Sequence, residues 1–170
     1  MFSTISFSVI SATALLALAS LLQAAEGTPS PTNAHLRYTT QGRGVQIYRC
    51  TAQAGTFQWT FEAPEATLTD TASNKQVGTH SAGPTWTWND HSAVTGKLLQ
   101  KTPSPDPNSI PWLLLEAQST GSRGALSDIK FVRRSNTKGG NAPTSGCDAQ
   151  HQNATTRVPY EATYTFYTAD

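Results

Sequence analysis

The chain has 170 residues, a formal net charge of +1 and 37% hydrophobic residues. This length and composition indicate one globular domain with a real core. The near-neutral charge excludes the strongly basic composition of nucleic-acid-binding proteins, so we expect no nucleic-acid partner.

The N-terminal segment has the pattern of a secretory signal peptide. Residues 5–22 form an apolar run, ISFSVISATALLALASLL, and small alanines follow at 24–25. We predict a signal peptide over 1–25 and a mature domain over 26–170. Residues 17–19 offer an earlier cleavage site, and an uncleaved anchor is the alternative because the first residues carry no Lys or Arg. No other window is long and apolar enough to span a membrane. We therefore expect an extracellular protein, or a periplasmic one in a bacterium.

Beyond residue 26, apolar and polar side chains alternate with period two in several segments, and no segment shows a helical stripe. The clearest case is Phe57–Phe61, FQWTF, and the pattern returns over Val158–Phe166. Both segments predict antiparallel strands with one face in contact with water.

Further strands are expected around the apolar residues of the intervening chain. They lie near Val45 and Ile47, at Ala66 to Leu68, and over 76–80, 85–88, 94–99, 110–117 and 127–133, with turns at 70–74 and 83–84. The unbroken apolar run at 112–115 is typical of a strand covered on both faces. About nine short strands predict an all-β domain, either an antiparallel β-sandwich or a closed β-barrel.

Two longer segments interrupt this pattern. Thr102–Pro111 carries four prolines and Asn136–Asp148 is rich in glycine, so we predict that both are loops rather than central strands. Five of the twelve basic residues fall between Arg123 and Lys138, but Asp128 interrupts them and no aromatic platform accompanies them. We interpret that stretch as a solvated strand and loop.

The chain contains two cysteines, Cys50 and Cys147. An even count in a secreted chain predicts one structural disulfide between them, and the absence of a CxxC pair argues against a metal or redox role. Asn153 begins an Asn-Ala-Thr sequon. It predicts a surface loop that carries an N-linked glycan if the host is a eukaryote.

Six segments together resemble a known family: GVQIYRC, WTFEAPEATL, VGTHSAGPTW, PSPDPNSIPWLLL, NTKGGNAPTSGCD and VPYEATYTFY. The chain is similar over most of its mature length to secreted bacterial and fungal proteins catalogued as a domain of unknown function. Fungal members often carry a malate dehydrogenase label. The resemblance implies a shared fold and an extracytoplasmic setting, and it implies no mechanism.

The dehydrogenase label can be tested against the residues. A Rossmann unit binds a dinucleotide through G-x-G-x-x-G between a strand and a helix. Here Gly42-Arg43-Gly44 is followed by Val45, with no third glycine at the required spacing and no helical pattern. The chain is also too short for a cofactor domain and a substrate domain. We therefore expect neither dehydrogenase activity nor a cofactor.

The segment VGTHSAGPTWTW is the strongest candidate for a functional site. Trp86 and Trp88 are spaced to project from one face of a strand, and flat aromatic faces suit sugar rings or planar apolar groups. The predicted ligand-binding residues are His80, Trp86, Trp88, Asp106 and Asn136. We expect the ligand to be a small molecule or a saccharide. Tryptophans at period two are also typical of a core, and that alternative stays open.

Catalysis has weaker support. The four histidines, His35, His80, His91 and His151, form neither H-x-H nor HExxH, so we predict no metal site. His80 and Ser81 miss the G-x-S-x-G spacing by one residue, and neighbours on a strand point to opposite faces. A metal-dependent or hydrolytic extracellular enzyme that uses His80 remains an alternative. So does a secreted interaction protein or effector with a protein partner outside the cell.

Overall fold

A computed structural model describes residues 27–121 and 123–170, so the predicted signal peptide lies outside the described residues. Eight β-strands form this part of the chain: β1 (Ala34–Gln53), β2 (Thr56–Asp70), β3 (Gln76–Ser81), β4 (Thr85–Trp88), β5 (Ala93–Thr102), β6 (Trp112–Ser119), β7 (Ile129–Gly139) and β8 (Thr155–Ala169). A single turn of 3-10 helix, Ala149–His151, precedes β8. No helix in the described ranges has both the length and the apolar character that a membrane span requires.

Each strand pairs antiparallel with the next one along the chain, and β8 pairs with β1 to close the sheet. The prediction of an all-β fold is confirmed, and of the two architectures it is the closed barrel that forms. An eight-stranded barrel has an interior that side chains can just fill or that can hold one small ligand. Here buried aromatic and aliphatic side chains occupy the interior, so a ligand site inside it would be a local gap in that packing.

The number of strands is eight rather than nine because two predicted strands are one. The alternating segments Phe57–Phe61 and Ala66 to Leu68 both belong to β2. A register shift against β1 leaves Glu62 without a partner residue, which makes it a β-bulge. The bulge interrupts the alternation of side chains without interrupting the strand, so the sequence pattern divides where the backbone does not.

Aromatic rings fill the centre of the barrel. Phe166 of β8 meets both tryptophans of β4 edge to face, with ring centroids 6.3 Å from Trp86 and 5.1 Å from Trp88. On β6, Leu114 and Leu115 are both buried on opposite faces, as the unbroken apolar run predicts. The largest fully buried side chains include Trp86, Tyr164, Phe166, Leu68, Leu126, Ile129, Val94 and Val132.

One end of the barrel is closed by the loop between β6 and β7. Its Leu126 is fully buried, and the backbone nitrogen of Leu126 donates to the Ser92 hydroxyl over 3.1 Å. The Asp90 carboxylate accepts from the Ser92 hydroxyl at 2.6 Å and from the Ala125 backbone at 2.7 Å. These bonds hold the loop and its leucine across the opening.

Loops also cover part of the opposite end. Cys50 of β1 is joined to Cys147 of the β7–β8 loop by a disulfide, as predicted. The Trp59 indole donates to the Ser145 carbonyl of the same loop over 2.8 Å. Asn153 lies near the end of this loop at an exposed position, where a glycan would meet solvent. The long β1–β2 hairpin is thereby tied to the connection that precedes β8.

The two predicted loops differ in outcome. Thr102–Pro111 does connect β5 to β6 beyond its first residue, Thr102, which ends β5. Asn136–Asp148 is only partly a loop, because Asn136 to Gly139 continue β7 and Lys138 still pairs with Glu161. A register shift before Lys138 lets the strand absorb the irregular sequence.

The barrel wall has a gap where β3 and β4 stand between longer neighbours. These strands have six and four residues, whereas β2 has 15 and β5 has 10. Among the described residues, 56–65 of β2 pair only with β1, and 97–102 of β5 pair only with β6. We call the gap above the Gly83-Pro84 turn, between those two segments, the notch. It gives the surface access to the interior.

Candidate functional site

A cavity of about 140 Å³ lies beneath the notch. Its apolar walls are Phe61, Pro64, Pro84, Trp86, Leu113 and Leu115, and its polar side chains are Gln46, Glu62, His80, Arg134 and Tyr164. Phe61 is 51% exposed at the rim, whereas Trp86 and Tyr164 are buried in the barrel. The cavity therefore leads from the protein surface into the core. Predominantly apolar walls with a few polar groups are the usual composition of a small-molecule site.

His80 reaches this cavity from β3 and is only 3% exposed. Its ring stacks on Trp86, the residue directly opposite on β4, with centroids 4.4 Å apart and planes 6° apart. Burial lowers the pKa of His80 to about 4; the hydrogen bond to Thr85 opposes this effect, and the nearby Arg134 charge adds to it. The imidazole is therefore neutral at neutral pH.

The hydrogen bonds of His80 define its tautomer. Nδ1 lies 2.9 Å from the Thr85 carbonyl oxygen, which can only accept. In the neutral ring Nδ1 must then carry the proton, and Nε2 presents a lone pair. No hydrogen bond to Nε2 is formed by the described residues. His80 thus offers the cavity an acceptor.

Two other residues on the cavity wall carry buried donors. The Gln46 amide nitrogen and the Trp86 indole nitrogen have no hydrogen-bond partner among the described residues. Gln46 is only 2% exposed. Its amide lies near the Tyr160 hydroxyl, but in a geometry that leaves the nitrogen unbonded. Buried polar groups are nearly always hydrogen-bonded, so these two are exceptions that call for an explanation.

The tyrosines at the back of the cavity are already paired with each other. The hydroxyl oxygens of Tyr160 and Tyr164 lie 3.0 Å apart, and the Tyr164 ring meets His80 edge to face at 5.1 Å. Burial raises the pKa of both tyrosines above the usual value. Both are neutral at physiological pH and contribute shape and polarity rather than charge.

Arg134 brings a positive charge to the wall, which corrects the interpretation of the basic stretch as simply solvated. Its Nε and Nη2 atoms donate to the Pro111 carbonyl over 3.1 and 2.8 Å, and its side chain is part-buried. Arg133 on the other face of β7 donates to the Thr28 carbonyl and lies over the Trp112 ring. These two arginines are thus structural contacts, and only Arg134 faces the cavity.

The structure brings together two of the five predicted ligand residues, His80 and Trp86. Trp88 also points into the barrel, but it lies further along β4 from the notch and packs against Tyr38 and Phe166. The other two predicted residues lie elsewhere. The Asp106 carboxylate is bonded within its own loop, and Asn136 is exposed on β7, where its amide donates to a β8 threonine.

A protein-family model described as "Protein of unknown function (DUF3455)" matches residues 30–168. The chain belongs to this family. The match takes in β1 to β7 and all but the last residue of β8, so the DUF3455 domain is the barrel described above. None of the curated proteins and none of the solved structures that were compared matches this DUF3455 protein. Its family description names no activity, and the cavity is where function must be argued.

The histidines of this DUF3455 protein occupy separate places. His35 pairs with Asp170 and His151 with Asp148, each over 2.7 Å at exposed positions, while His80 is interior. In residues 27–121 and 123–170, no three His, Cys, Asp or Glu side chains form a group that could hold a metal ion. Ser81 is exposed on the face opposite His80, so that serine is not placed for proton transfer to it.

Gln46 and Arg134 are among the cavity residues of the DUF3455 barrel that the sequence analysis missed. Gln46 lies between Val45 and Ile47, whose apolar side chains suggested that the odd-numbered face of β1 was the buried one. The buried residues are instead Gln46, Tyr48 and Cys50. Arg134 follows Val132 at period two, the only sequence signal that it could face inward.

Proposed function

We propose that this protein acts outside the cytoplasm by binding a small organic ligand in the cavity beneath the notch. The supporting observation is a pair of buried N–H groups, on Gln46 and Trp86, that find no partner among the described residues in an otherwise largely apolar wall. Each such group costs about 1–3 kcal/mol when it has no partner. A ligand that accepts a hydrogen bond from one of these groups removes that cost. The free energy recovered in this way favours binding.

The dimensions set the size of the group that enters. An engineered apolar cavity of about 150 Å³ in another protein binds benzene, and the cavity here has about 140 Å³. One ring of a ligand is therefore the expected occupant. The rest of a larger ligand would extend through the notch along Phe61, whose ring is half exposed at the rim.

The same proposal includes export from the cell. A signal peptide cleaved after Ala25 and a glycan on Asn153 are the expected processing steps. N-terminal sequencing of the protein from the culture medium of a eukaryotic host should begin at Glu26. The mass of Asn153→Gln should fall by that of one N-linked glycan. An intact N-terminus found in the membrane fraction would contradict the cleavage.

Binding is tested by titrating the mature protein with monosaccharides, oligosaccharides and small aromatic compounds. The readout is the NMR signal of the Trp86 indole N–H, assigned by a Trp86→Phe variant. We expect a saturable shift with one ligand class, and its loss in His80→Ala. His35→Ala is the matched control because His35 is an exposed histidine on β1. If no compound in the panel shifts the indole signal, the binding proposal is wrong and a protein partner is favoured.

A further inference from the structure

The hydrogen-bonding groups of the cavity are few, and they differ in kind. His80 offers one acceptor, Nε2, because its Nδ1 is bonded to the Thr85 carbonyl. Gln46 and Trp86, both on the cavity wall, each carry a buried donor that has no partner among the described residues. The remaining polar groups are largely committed, since Tyr164 is paired with a neighbouring tyrosine and two Arg134 nitrogens bond a backbone carbonyl. The Glu62 carboxylate accepts a hydrogen bond from Arg49.

This inventory matches a single hydroxyl group better than several. A hydroxyl donates one hydrogen bond and accepts up to two. It can therefore donate to His80 and accept from the Gln46 or Trp86 donor. A sugar would bring several hydroxyls against walls of proline, leucine and phenylalanine. Each hydroxyl buried without a partner costs about 1–3 kcal/mol, which opposes entry of a whole saccharide ring.

The walls also favour a flat ring. The Trp86 and His80 rings lie on one another in parallel, and the other apolar side chains of the wall include Phe61, Pro64 and Leu115. Aromatic groups gain from offset or edge contacts with such rings beyond the gain from buried area. A hydroxyl-free ring would fill the space but leave both unbonded donors as they are.

We propose that the cavity recognises a neutral phenol-type ring, whose hydroxyl donates to Nε2 of His80 and accepts from the Gln46 amide or the Trp86 indole. This inference rests on the proposed function, since it names the class of ligand for the same cavity. The substituent opposite the hydroxyl points out through the notch. Binding is non-covalent, so the ligand leaves unchanged.

Calorimetry with four small probes tests the assignment on the full mature chain at neutral pH. The probes are 4-methylphenol, toluene, 4-methylanisole and methyl β-glucoside. We expect 4-methylphenol to bind about tenfold more tightly than toluene, as expected for one or two net hydrogen bonds. The anisole keeps the ring and the accepting oxygen but has no O–H, so it should lose the share of affinity due to His80.

Two variants separate hydrogen bonding from shape. Gln46→Met keeps the length of the side chain and removes the amide, while His80→Phe keeps a ring on Trp86 and removes Nε2. In each variant 4-methylphenol should lose several-fold in affinity, and toluene should bind as in the wild type. Retained toluene binding also shows that the variant is folded. His35→Ala should leave all four affinities unchanged.

The outcomes distinguish this inference from the proposed function. Equal affinities for 4-methylphenol and toluene, or a preference for the glucoside, would overturn the phenol assignment while leaving a binding cavity. Binding of 4-methylphenol that is unaffected by both variants would also overturn it. No binding of any probe, together with an unmoved Trp86 indole signal, would remove both proposals.

Discussion

His80 and Trp86 face each other across the β3–β4 hairpin and stack with ring centroids 4.4 Å apart. The stack holds the imidazole in the barrel interior, and the bond from Nδ1 to the Thr85 carbonyl fixes its rotation. Because the hairpin is short, the same two residues stand directly beneath the notch. One local contact thus shapes the cavity wall and orients its acceptor.

Removal of the His80 ring should destabilise the barrel. His80→Ala deletes a buried ring from the stack and leaves the Thr85 carbonyl without its donor. We expect the free energy of unfolding to fall by about 2–4 kcal/mol in urea denaturation. The exposed His35→Ala should cost less than about 1 kcal/mol. Equal effects of the two substitutions would mean that the stack contributes nothing.

The stability of the protein should depend on the protonation of His80. Its pKa is about 4 in the barrel, against an ordinary 6.5 in the unfolded chain. Below about pH 6.5 the unfolded chain binds a proton that the folded chain does not, so stability falls as the pH drops toward about 4. The loss should approach about 3 kcal/mol.

Urea denaturation at several pH values between 7.5 and 4.5 measures this loss. His80→Phe has no group that titrates in this window, so its unfolding free energy should vary less than that of the wild type. Other groups contribute equally to both proteins and cancel in the comparison. Parallel curves for the two proteins would show that His80 is not responsible.

The disulfide should stabilise the barrel through the loop it closes. Cys50 and Cys147 are 97 residues apart in sequence. In the chain-entropy model a closed loop of about this length contributes about 4–5 kcal/mol. Replacement of both cysteines by alanine should lower the free energy of unfolding by up to this amount. A melting temperature unchanged by reductant in the wild type would contradict this role.

Asp90 should control the closed end of the barrel. Its carboxylate accepts bonds from Ser92 and from the Ala125 backbone, and Ser92 in turn holds Leu126. In Asp90→Ala we expect faster amide hydrogen exchange at Ala125 and Leu126, with strands β1 and β8 unaffected. Protection that is unchanged at these two amides would show that the leucine is held by packing alone.

Much of the fold could be predicted because strand patterns are local. Side chains alternate across a strand wherever it lies, so the segment Val158–Phe166 was recognisable without any knowledge of its neighbours. The single pair of cysteines made the disulfide predictable by count. Where a bulge at Glu62 broke the alternation, the same reasoning divided one strand into two.

The candidate site was predictable only in part. His80 and Trp86 could be found because they are close in sequence and their types are unusual together. Gln46 and Arg134 could not, since a polar residue on a strand is normally assigned to the wet face. Trp88 shares the inward face of Trp86, but sequence spacing cannot tell which of the two lines a cavity.

The sequence by itself determined the strand class, the disulfide pairing and the His80-Trp86 hairpin, because each depends on residues that are close in the chain or unique in type. Only the tertiary structure decided that β8 closes on β1 and that β3 and β4 leave a notch. Closure joins the two ends of the domain, and the notch arises from the unequal lengths of strands that meet only in the sheet. The cavity depends on both, so it has no signature in any one segment.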